Sequence, residues 1–398
     1  MAKIAEALAF LQQGKMIVVV DDAHRENEGD LICAASTVTA EQINFMARFG
    51  RGLICVALPP EQIERLDLSL MVRNVGETDV FGTAFTQSVD ASEGITTGIS
   101  AHDRALTIRL ATDPNSTADA LVVPGHMFPL IAKKDGVLER RGHTETAVDL
   151  TRLAGLVPGG VICEILNDDG TMMRLPDLQQ FAHVHGLPLI SVEDLVQYRI
   201  DTEIKKVCAT TLPTQWGVFD LSVYHDAIGR EHICMTLGTF APEDKPIVRI
   251  HSECLTGDVF ESMRCDCGAQ LQQSLQLIGR HEQGIIIYLR QEGRGIGLTE
   301  KIKAYALQDQ GLDTVEANHA LGHPTDARHY EVAVKMLRDL SVDNIFLLTN
   351  NPHKNNYLKQ YKIEVTQLAL LAEVNQYSER YQRSKATKMG HKIPFSEL

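Results

Sequence analysis

The sequence predicts an α/β (α+β) protein in two domains, each a mixed sheet flanked by helices. Three observations carry this. The chain has 398 residues, more than one ordinary domain holds and about right for two. Short apolar runs alternate with longer amphipathic stretches along its whole length, as strands interleaved with helices do. A polar, charged stretch from Asp201 to Cys208 interrupts that rhythm before a fresh strand-rich start at TTLPTQWGVFDLSVY. The expected division is a first domain at 1–200, a linker at 201–207 and a second domain at 208–398, ending in a basic, mobile tail.

Taken in order, IAEALAFLQQGK reads as a helix and MIVVV as a buried strand entering the acidic turn Asp21-Asp22. Thr39 and Gln42 are spaced as a capping box opening AEQINFMARFG. GLICVAL is a strand stopped by Pro59-Pro60. GTAFTQSVDA alternates as a half-buried strand, and VICEIL is a strand running into the turn Asn167 to Gly170. LPLISV leads into the helix VEDLVQYRI. In the second half PIVRIH, GIIIYLR and NIFLLTNN are strands, while LTEKIKAYALQD and VAVKMLRDL are helices. The tail ERYQRSKATKMGHKI reads as solvated.

Composition narrows the function. Hydrophobic content of 44% and charged content of 23% suit a soluble globular protein. A net charge of -14 argues against nucleic acid or anionic membrane as partners, so phosphates must be met by local arginines and backbone N–H groups. No run approaches the ~20 apolar residues of a membrane span, and the N-terminus lacks a signal-peptide pattern. Eight cysteines in this length are no disulfide scaffold. The expectation is a cytoplasmic protein whose Cys33, Cys163, Cys208 and Cys234 are plain thiols.

Two constellations stand out. In the first, HRENEGD packs Arg25, Glu26, Glu28 and Asp30 directly after a buried strand, where α/β proteins place ligands. A second polar run, Arg140, Arg141, Gly142, His143 and Thr144, opens a helix whose unpaired N–H groups suit a phosphate. Glu26 with His143 would make a mixed oxygen and nitrogen site for Mg²⁺ or Mn²⁺. Glu164, a charge inside an apolar strand, is a candidate general base because burial raises a carboxyl pKa.

In the second constellation, Cys254, Cys265 and Cys267 follow the spacing Cys-x10-Cys-x-Cys. Three thiolates without an obvious fourth partner suit a catalytic zinc, which keeps one position for water and lowers its pKa to roughly 7. A closed structural zinc and buried free thiols are the competing readings. YLRQEGRGIGL follows a strand and precedes a helix, so Gly293, Gly295 and Gly297 would let backbone approach phosphates. Arg294 within it would clamp phosphate or stack on a base.

DDAHRENEGDL, GRGLICVAL, GTAFTQSVDA, TTGISAHDRA, PGHMFPL, ERRGHTE and GGVICEI, in that order, resemble 3,4-dihydroxy-2-butanone 4-phosphate synthase over residues 1–200. The resemblance implies conversion of D-ribulose 5-phosphate to L-3,4-dihydroxybutan-2-one 4-phosphate and formate. It implies Glu26 and His143 as metal ligands, Arg25, Asp30 and Arg140 to Thr144 as substrate contacts, Glu164 as acid/base, and His126 near the site. Val123 stands where that family usually has arginine before PGH. HSECLTGDVFESMRCDCG, the glycine loop, ALQDQGLDTVEAN, PTDARHY and LLTNNPHK resemble GTP cyclohydrolase II over residues 207–370.

This second resemblance implies hydrolysis of GTP to 2,5-diamino-6-(5-phosphoribosylamino)pyrimidin-4-one, formate and pyrophosphate. It implies zinc on Cys254, Cys265 and Cys267. GTP contacts would come from Arg249, Ile250, His251, Ser252, Glu253, Gln270, Glu292, Gly293, Arg294, Thr314, Thr349 and Lys354. Asp326 would accept a proton, Tyr305 would lie near the base, and Arg328 would be either nucleophile or phosphate clamp. The rival readings are a chain retaining one activity and a GTP-binding module without turnover. A homodimer is expected, as the first family is typically dimeric.

Overall fold

The computed structural model describes residues 1–71, 82–241, 243–371 and 375–390. It divides into units Met1–Arg199 and Ile200–Leu398. In the first, β1 (Ile17–Val20), β2 (Gly29–Ala34), β3 (Cys55–Leu58), β4 (Val89–Ala91), β5 (Leu121–Ile131), β6 (Gly160–Glu164) and β7 (Leu189–Ser191) form one sheet in the order β4-β5-β3-β6-β2-β1-β7. β1 runs parallel to β7 and antiparallel to β2, while β2 and β6 are antiparallel. Every residue of β1, β2 and β3 is buried, as the unbroken apolar runs of β1 and β3 require, and in β2 that burial takes in Asp30. Helices such as Ala101–Thr112 and Leu175–His185 supply Ala105, Ile108, Leu178 and Phe181 to the core against Val18, Leu31, Val56 and Val161.

Local chemistry sets several boundaries. Thr39 and Gln42 close the capping box on the helix Ala40–Phe45. β3 ends before Pro59, and Pro60 opens the helix Pro60–Arg65, where its missing N–H costs nothing. Of the strand expected through GTAFTQSVDA, the regular part is Val89–Ala91. The long β5 was hidden by its own Pro124, Gly125 and Pro129, residues that usually interrupt strands.

The second unit holds β8 (Lys205–Thr214), β9 (Gly217–His225), β10 (Glu231–Leu237), β11 (Ile247–Ser252), β12 (Gly284–Leu289), β13 (Asn344–Leu348) and β14 (Glu364–Leu368) in the order β14-β13-β11-β12-β10-β9-β8. β14, β13, β11 and β12 are mutually parallel, and β12, β10, β9 and β8 continue antiparallel. β12 and β13 flank β11 on opposite sides, so strand order reverses there. The crevice beyond the carboxyl end of β11 is where such a sheet takes its ligand.

Two expectations change. Residues 201–207 are regular structure, with the helix Val192–Glu203 handing over to β8. β8 is an edge strand, almost wholly exposed, so its polarity reflects solvent and not a missing element. The supposed tail contains the helix Glu379–Met389, in which Gln382, Ser384 and Lys385 are buried. Its segment 391–393 lies outside the described residues.

Candidate active sites

The first site forms where β1 ends, β2 begins and β6 ends. Asp21 organises the intervening loop by accepting from Arg25 Nη1 at 2.8 Å, Glu26 N at 3.1 Å and Glu28 N at 2.8 Å. One ligand atom from each of Asp21, Glu26 and His143 lies within 4.8 Å of the others. His143 is the first residue of the helix His143–Leu153, after Gly142, which gives no side-chain cap. His143 Nδ1 is 3.5 Å from Asp30 Oδ1 and 3.9 Å from Glu26 Oε2, while its buried Nε2 and Asp30 Oδ1 have no hydrogen-bond partner.

The β2–β6 register sets Asp30 opposite Glu164, whose Oε2 accepts from Leu53 N at 2.8 Å. Burial and then the Glu26 charge push Glu164 above the usual carboxylate range. Burial, Glu164 and Glu26 push Asp30 well up. Burial lowers His143 to about 4, leaving at neutral pH the uncharged imidazole a metal needs. The Arg25 guanidinium pairs with both Asp21 and Glu26. The oxygen and nitrogen donors, with an orphaned imidazole nitrogen, fit a hard divalent cation.

The remaining first-half residues are arranged differently from one another. Arg140 pairs with Glu145 at 2.6 Å and Arg141 with Glu193 at 2.6 Å. Thr144 is buried one residue into the helix. His126, on β5, forms a separate group with Asp90, Nδ1 to Oδ2 at 2.7 Å and backbone N to Oδ1 at 3.0 Å. Gly98 approaches this pair so closely that a Cβ there would lie 2.3 Å from Asp90 Oδ2 and 2.5 Å from His126 Nδ1. Val123 is half-exposed on the same strand.

The second site is a pocket at the carboxyl ends of β11, β12 and β13. It brings together Arg249, His251, Ser252, Glu253, Cys254, Cys265, Cys267, Gln270, Glu292, Gly293, Arg294, Tyr305, Thr314, Arg328, Thr349 and Lys354. Ile250 contributes through its backbone, its carbonyl accepting from Lys354 Nζ at 2.7 Å.

Cys254 follows β11 and Cys267 opens the helix Cys267–His281, so strand and helix ends converge their sulfurs. The three Sγ atoms lie within 4.8 Å of one another. Gly257 leaves them room, since a Cβ there would be 2.9 Å from Cys265 Sγ. Hydrogen bonds from Cys265 and Cys267, and then the Lys301 ammonium, strongly favour Cys254 as thiolate. Lys301 Nζ sits 3.2 Å from Cys254 Sγ and 2.8 Å from Glu292 Oε1. Three clustered soft donors, one already a thiolate, fit zinc.

Around the sulfurs the pocket is cationic. Arg249 donates to Leu348 O at 2.9 Å and Gln270 Oε1 at 2.8 Å. Arg249 Nε and both terminal nitrogens of Arg294 are buried without hydrogen-bond partners, donors left for an anion. Arg294 holds φ at 60°, which a non-glycine residue rarely adopts. At Gly295 a Cβ would meet Ala327 O at 2.5 Å, so the loop tolerates no side chain there. Burial and the Arg249 charge drive Lys354 well below the ordinary lysine value.

Arg328 is gripped by Asp326, Nε to Oδ1 at 2.8 Å. Burial would raise Asp326, but the Arg328 guanidinium holds it down at about 2. His251 Nε2 lies 3.0 Å from Asp258 Oδ1 and its ring stacks on Tyr288. Tyr305 OH is 3.4 Å from Thr256 Oγ1, and burial raises it to about 12.

Sequence reasoning had not assigned Asp21, Lys301, Asp258, Tyr381 or Lys385 to these sites. Asp21 carried a signal, since it ends the same strand that feeds Glu26. Asp258 lies only seven residues from its partner His251, whereas Lys301, Tyr381 and Lys385 reach their partners over long stretches of chain, 47 residues between Cys254 and Lys301, and carried none.

A family model for 3,4-dihydroxy-2-butanone 4-phosphate synthase matches residues 5–198, and one for GTP cyclohydrolase II matches residues 205–369. The riboflavin biosynthesis protein RibBA of Aquifex aeolicus (strain VF5) is 51% identical over 98% of this chain and 97% of its own length. RibBA of Bacillus cytotoxicus is 49% identical over 98% of each chain. Among solved structures, RibBX, a two domain 3,4-dihydroxy-2-butanone 4-phosphate synthase from A. baumannii, is similar with a TM-score of 0.59 and 34% identity, over 93% of this chain and 99% of that one.

Proposed function

The chain belongs to the bifunctional riboflavin-biosynthesis family in which 3,4-dihydroxy-2-butanone 4-phosphate synthase is fused to GTP cyclohydrolase II, and on that premise we propose what each site does. The first half converts D-ribulose 5-phosphate to L-3,4-dihydroxybutan-2-one 4-phosphate and formate. The second hydrolyses GTP to 2,5-diamino-6-(5-phosphoribosylamino)pyrimidin-4-one, formate and pyrophosphate. One observation supports this pairing above others: a carboxylate-rich cluster around an uncharged imidazole in one unit, and a cation-rich pocket around three thiols in the other.

In the first half Glu26 and His143, joined by Asp21, would hold Mg²⁺ or Mn²⁺. When bound, the ion supplies positive charge opposite the oxygens of a ketose phosphate. Glu164 takes the proton next to the substrate carbonyl, since a carboxylate raised by burial is a better base near neutral pH than an exposed one. The N–H groups at the start of the helix His143–Leu153 face the phosphate. Arg25 and Asp30 contact the sugar hydroxyls, and with Arg140 and Arg141 engaged by glutamates, backbone rather than guanidinium carries the anion. His126 serves the same reaction as part of its pair with Asp90.

In the second half Cys254, Cys265 and Cys267 would hold one zinc ion. When bound, zinc supplies Lewis acidity for hydrolysis at an electrophilic purine carbon. Arg249, Arg294 and Lys354 bind the triphosphate, and Tyr305 borders the base. A carboxylate held at about 2 is a poor proton acceptor at neutral pH, and a buried guanidinium gripped by it keeps its proton. Asp326 therefore orients Arg328, and Arg328 clamps phosphate. Isolation of a guanylyl adduct on Arg328 during turnover would contradict this.

No described helix is long and apolar enough to cross a membrane, and all eight cysteines are free. A cytoplasmic location and action on small molecules belong to this proposal, and family membership supports a homodimer, which sedimentation tests. The functional reading is tested by assaying formate from each substrate separately: both give formate with zinc and magnesium present. Release from one substrate alone would reduce the chain to a single activity.

A further inference from the structure

The helix Glu379–Met389, ERYQRSKATKM, has no apolar face, yet it is held against the second unit. Ser378, Gln382 and Lys385 are buried at spacings that place them on one side. A helix so poor in apolar burial gains little from the hydrophobic effect and depends on its polar partners. Two of its residues, Tyr381 and Lys385, line the nucleotide pocket.

Lys385 Nζ lies 2.6 Å from Asp266 Oδ1, Asp266 Oδ2 accepts from Gln270 Nε2 at 2.8 Å, and Gln270 Oε1 accepts from Arg249 Nη2 at 2.8 Å. An unbroken chain of charge-assisted bonds thus fixes the Arg249 guanidinium. The Tyr381 ring centroid lies 5.4 Å from Arg294 Cζ and 4.4 Å from Lys385 Nζ. It backs the guanidinium whose two buried terminal nitrogens have no hydrogen-bond partner. At the far end of the helix, Lys388 donates to Glu316 Oε1 at 2.9 Å and pairs with Asp313, which caps the helix beginning at the pocket residue Thr314.

We infer that the helix Glu379–Met389 is a polar strap over the nucleotide pocket, with Tyr381 and Lys385 as positioning residues for the two arginines that receive the triphosphate. The inference rests on the reading of this pocket as the GTP site. Occupation by a polyanion completes the donors that Tyr381 aims, so substrate and strap hold each other in place.

The test is steady-state kinetics on the full zinc-loaded chain. Lys385→Met and Tyr381→Ala each raise KM for GTP about tenfold or more, with a smaller change in kcat. Zinc content and formate release from ribulose 5-phosphate stay at wild-type levels, and Lys385→Arg and Tyr381→Phe recover most of the loss. KM values within about twofold of wild type in both variants overturn the strap and leave the GTP reading standing. Wild-type chain that consumes no GTP overturns the reading beneath it. A second measurement needs no variant: the α,β-methylene analogue of GTP slows tryptic cleavage within residues 379–389, followed by mass spectrometry. Cleavage at the same rate with and without the analogue overturns the strap.

Discussion

In the first half Asp21, Glu26 and Asp30 crowd one uncharged imidazole; in the second, Arg249, Arg294, Arg328, Lys354 and Lys385 gather beside three thiols. Part of that charge is paired within the protein, Arg25 with Asp21 and Glu26, Arg328 with Asp326 and Lys385 with Asp266, while Arg249 Nε and both terminal nitrogens of Arg294 keep no partner, and buried donors left unpaired are costly unless a ligand meets them. The acidic site calls for a cation, and on the proposed reading it would meet its sugar phosphate through backbone N–H groups. The basic site calls for a polyanion, and on the proposed reading it would hold its metal through sulfur, a soft donor that favours zinc over magnesium. The clustered ligand atoms and unpartnered donors of each site are thus a negative image of what it is proposed to bind. They also predict that the two can be broken independently.

The largest effect separates them outright. Cys265→Ser lowers formate release from GTP by at least about a hundredfold, the scale of losing a metal's several kcal/mol, and leaves release from ribulose 5-phosphate within about twofold of wild type. Glu26→Ala does the reverse, and paired assays on each purified variant read both. Loss of both activities in either variant would break the comparison.

A smaller effect concerns Asp326. Its folded pKa of about 2 lies below the unfolded value, so its contribution to stability is present above the unfolded pKa and is lost as pH falls through about 2. It therefore stays ionised wherever the enzyme works. Asp326→Asn should lower GTP turnover about tenfold to a hundredfold by loosening Arg328, without changing the shape of the pH–rate profile between about pH 5 and 9. Disappearance of an acidic limb in the variant would restore Asp326 as the base.

The smallest effect sharpens the acidic side. Burial raises Glu164 above its reference value of 4.5, so the unfolded chain ionises first and stability is lost as pH rises from there through the folded value. Glu164→Gln ends the first activity, yet in metal-free protein it raises the unfolding midpoint of that half by roughly 2–4 °C at pH 7, and by nothing at pH 4. Calorimetry at the two pH values reads it, and an equal shift at both would remove the charge argument.

Much of this was legible in the sequence because the chemistry was local. Cys265 and Cys267 are one residue apart, the HRENEGD loop leaves a buried strand, and His143 opens a helix beside Gly142. The apolar runs of β1 and β3 could be read because burial on both faces leaves them no polar residue to break the pattern. What escaped was either assembled across the fold or disguised by composition. Lys301 meets Cys254 through a helix packed on a strand end, and Lys385 meets Asp266 from 119 residues away. The helix Glu379–Met389 looked like a solvated tail because its buried face is polar, and hydrophobic periodicity cannot reveal a face that packs by charge. β8 looked like a linker for the complementary reason, an exposed edge strand that needs no apolar face.

The most direct measurement is elemental analysis of folded chain, prepared without chelator, alongside its consumption of GTP. The account predicts one zinc per chain, with GTP consumption falling in proportion as the metal is stripped and returning when it is restored. Zinc-free chain that consumes GTP at the undiminished rate would contradict it.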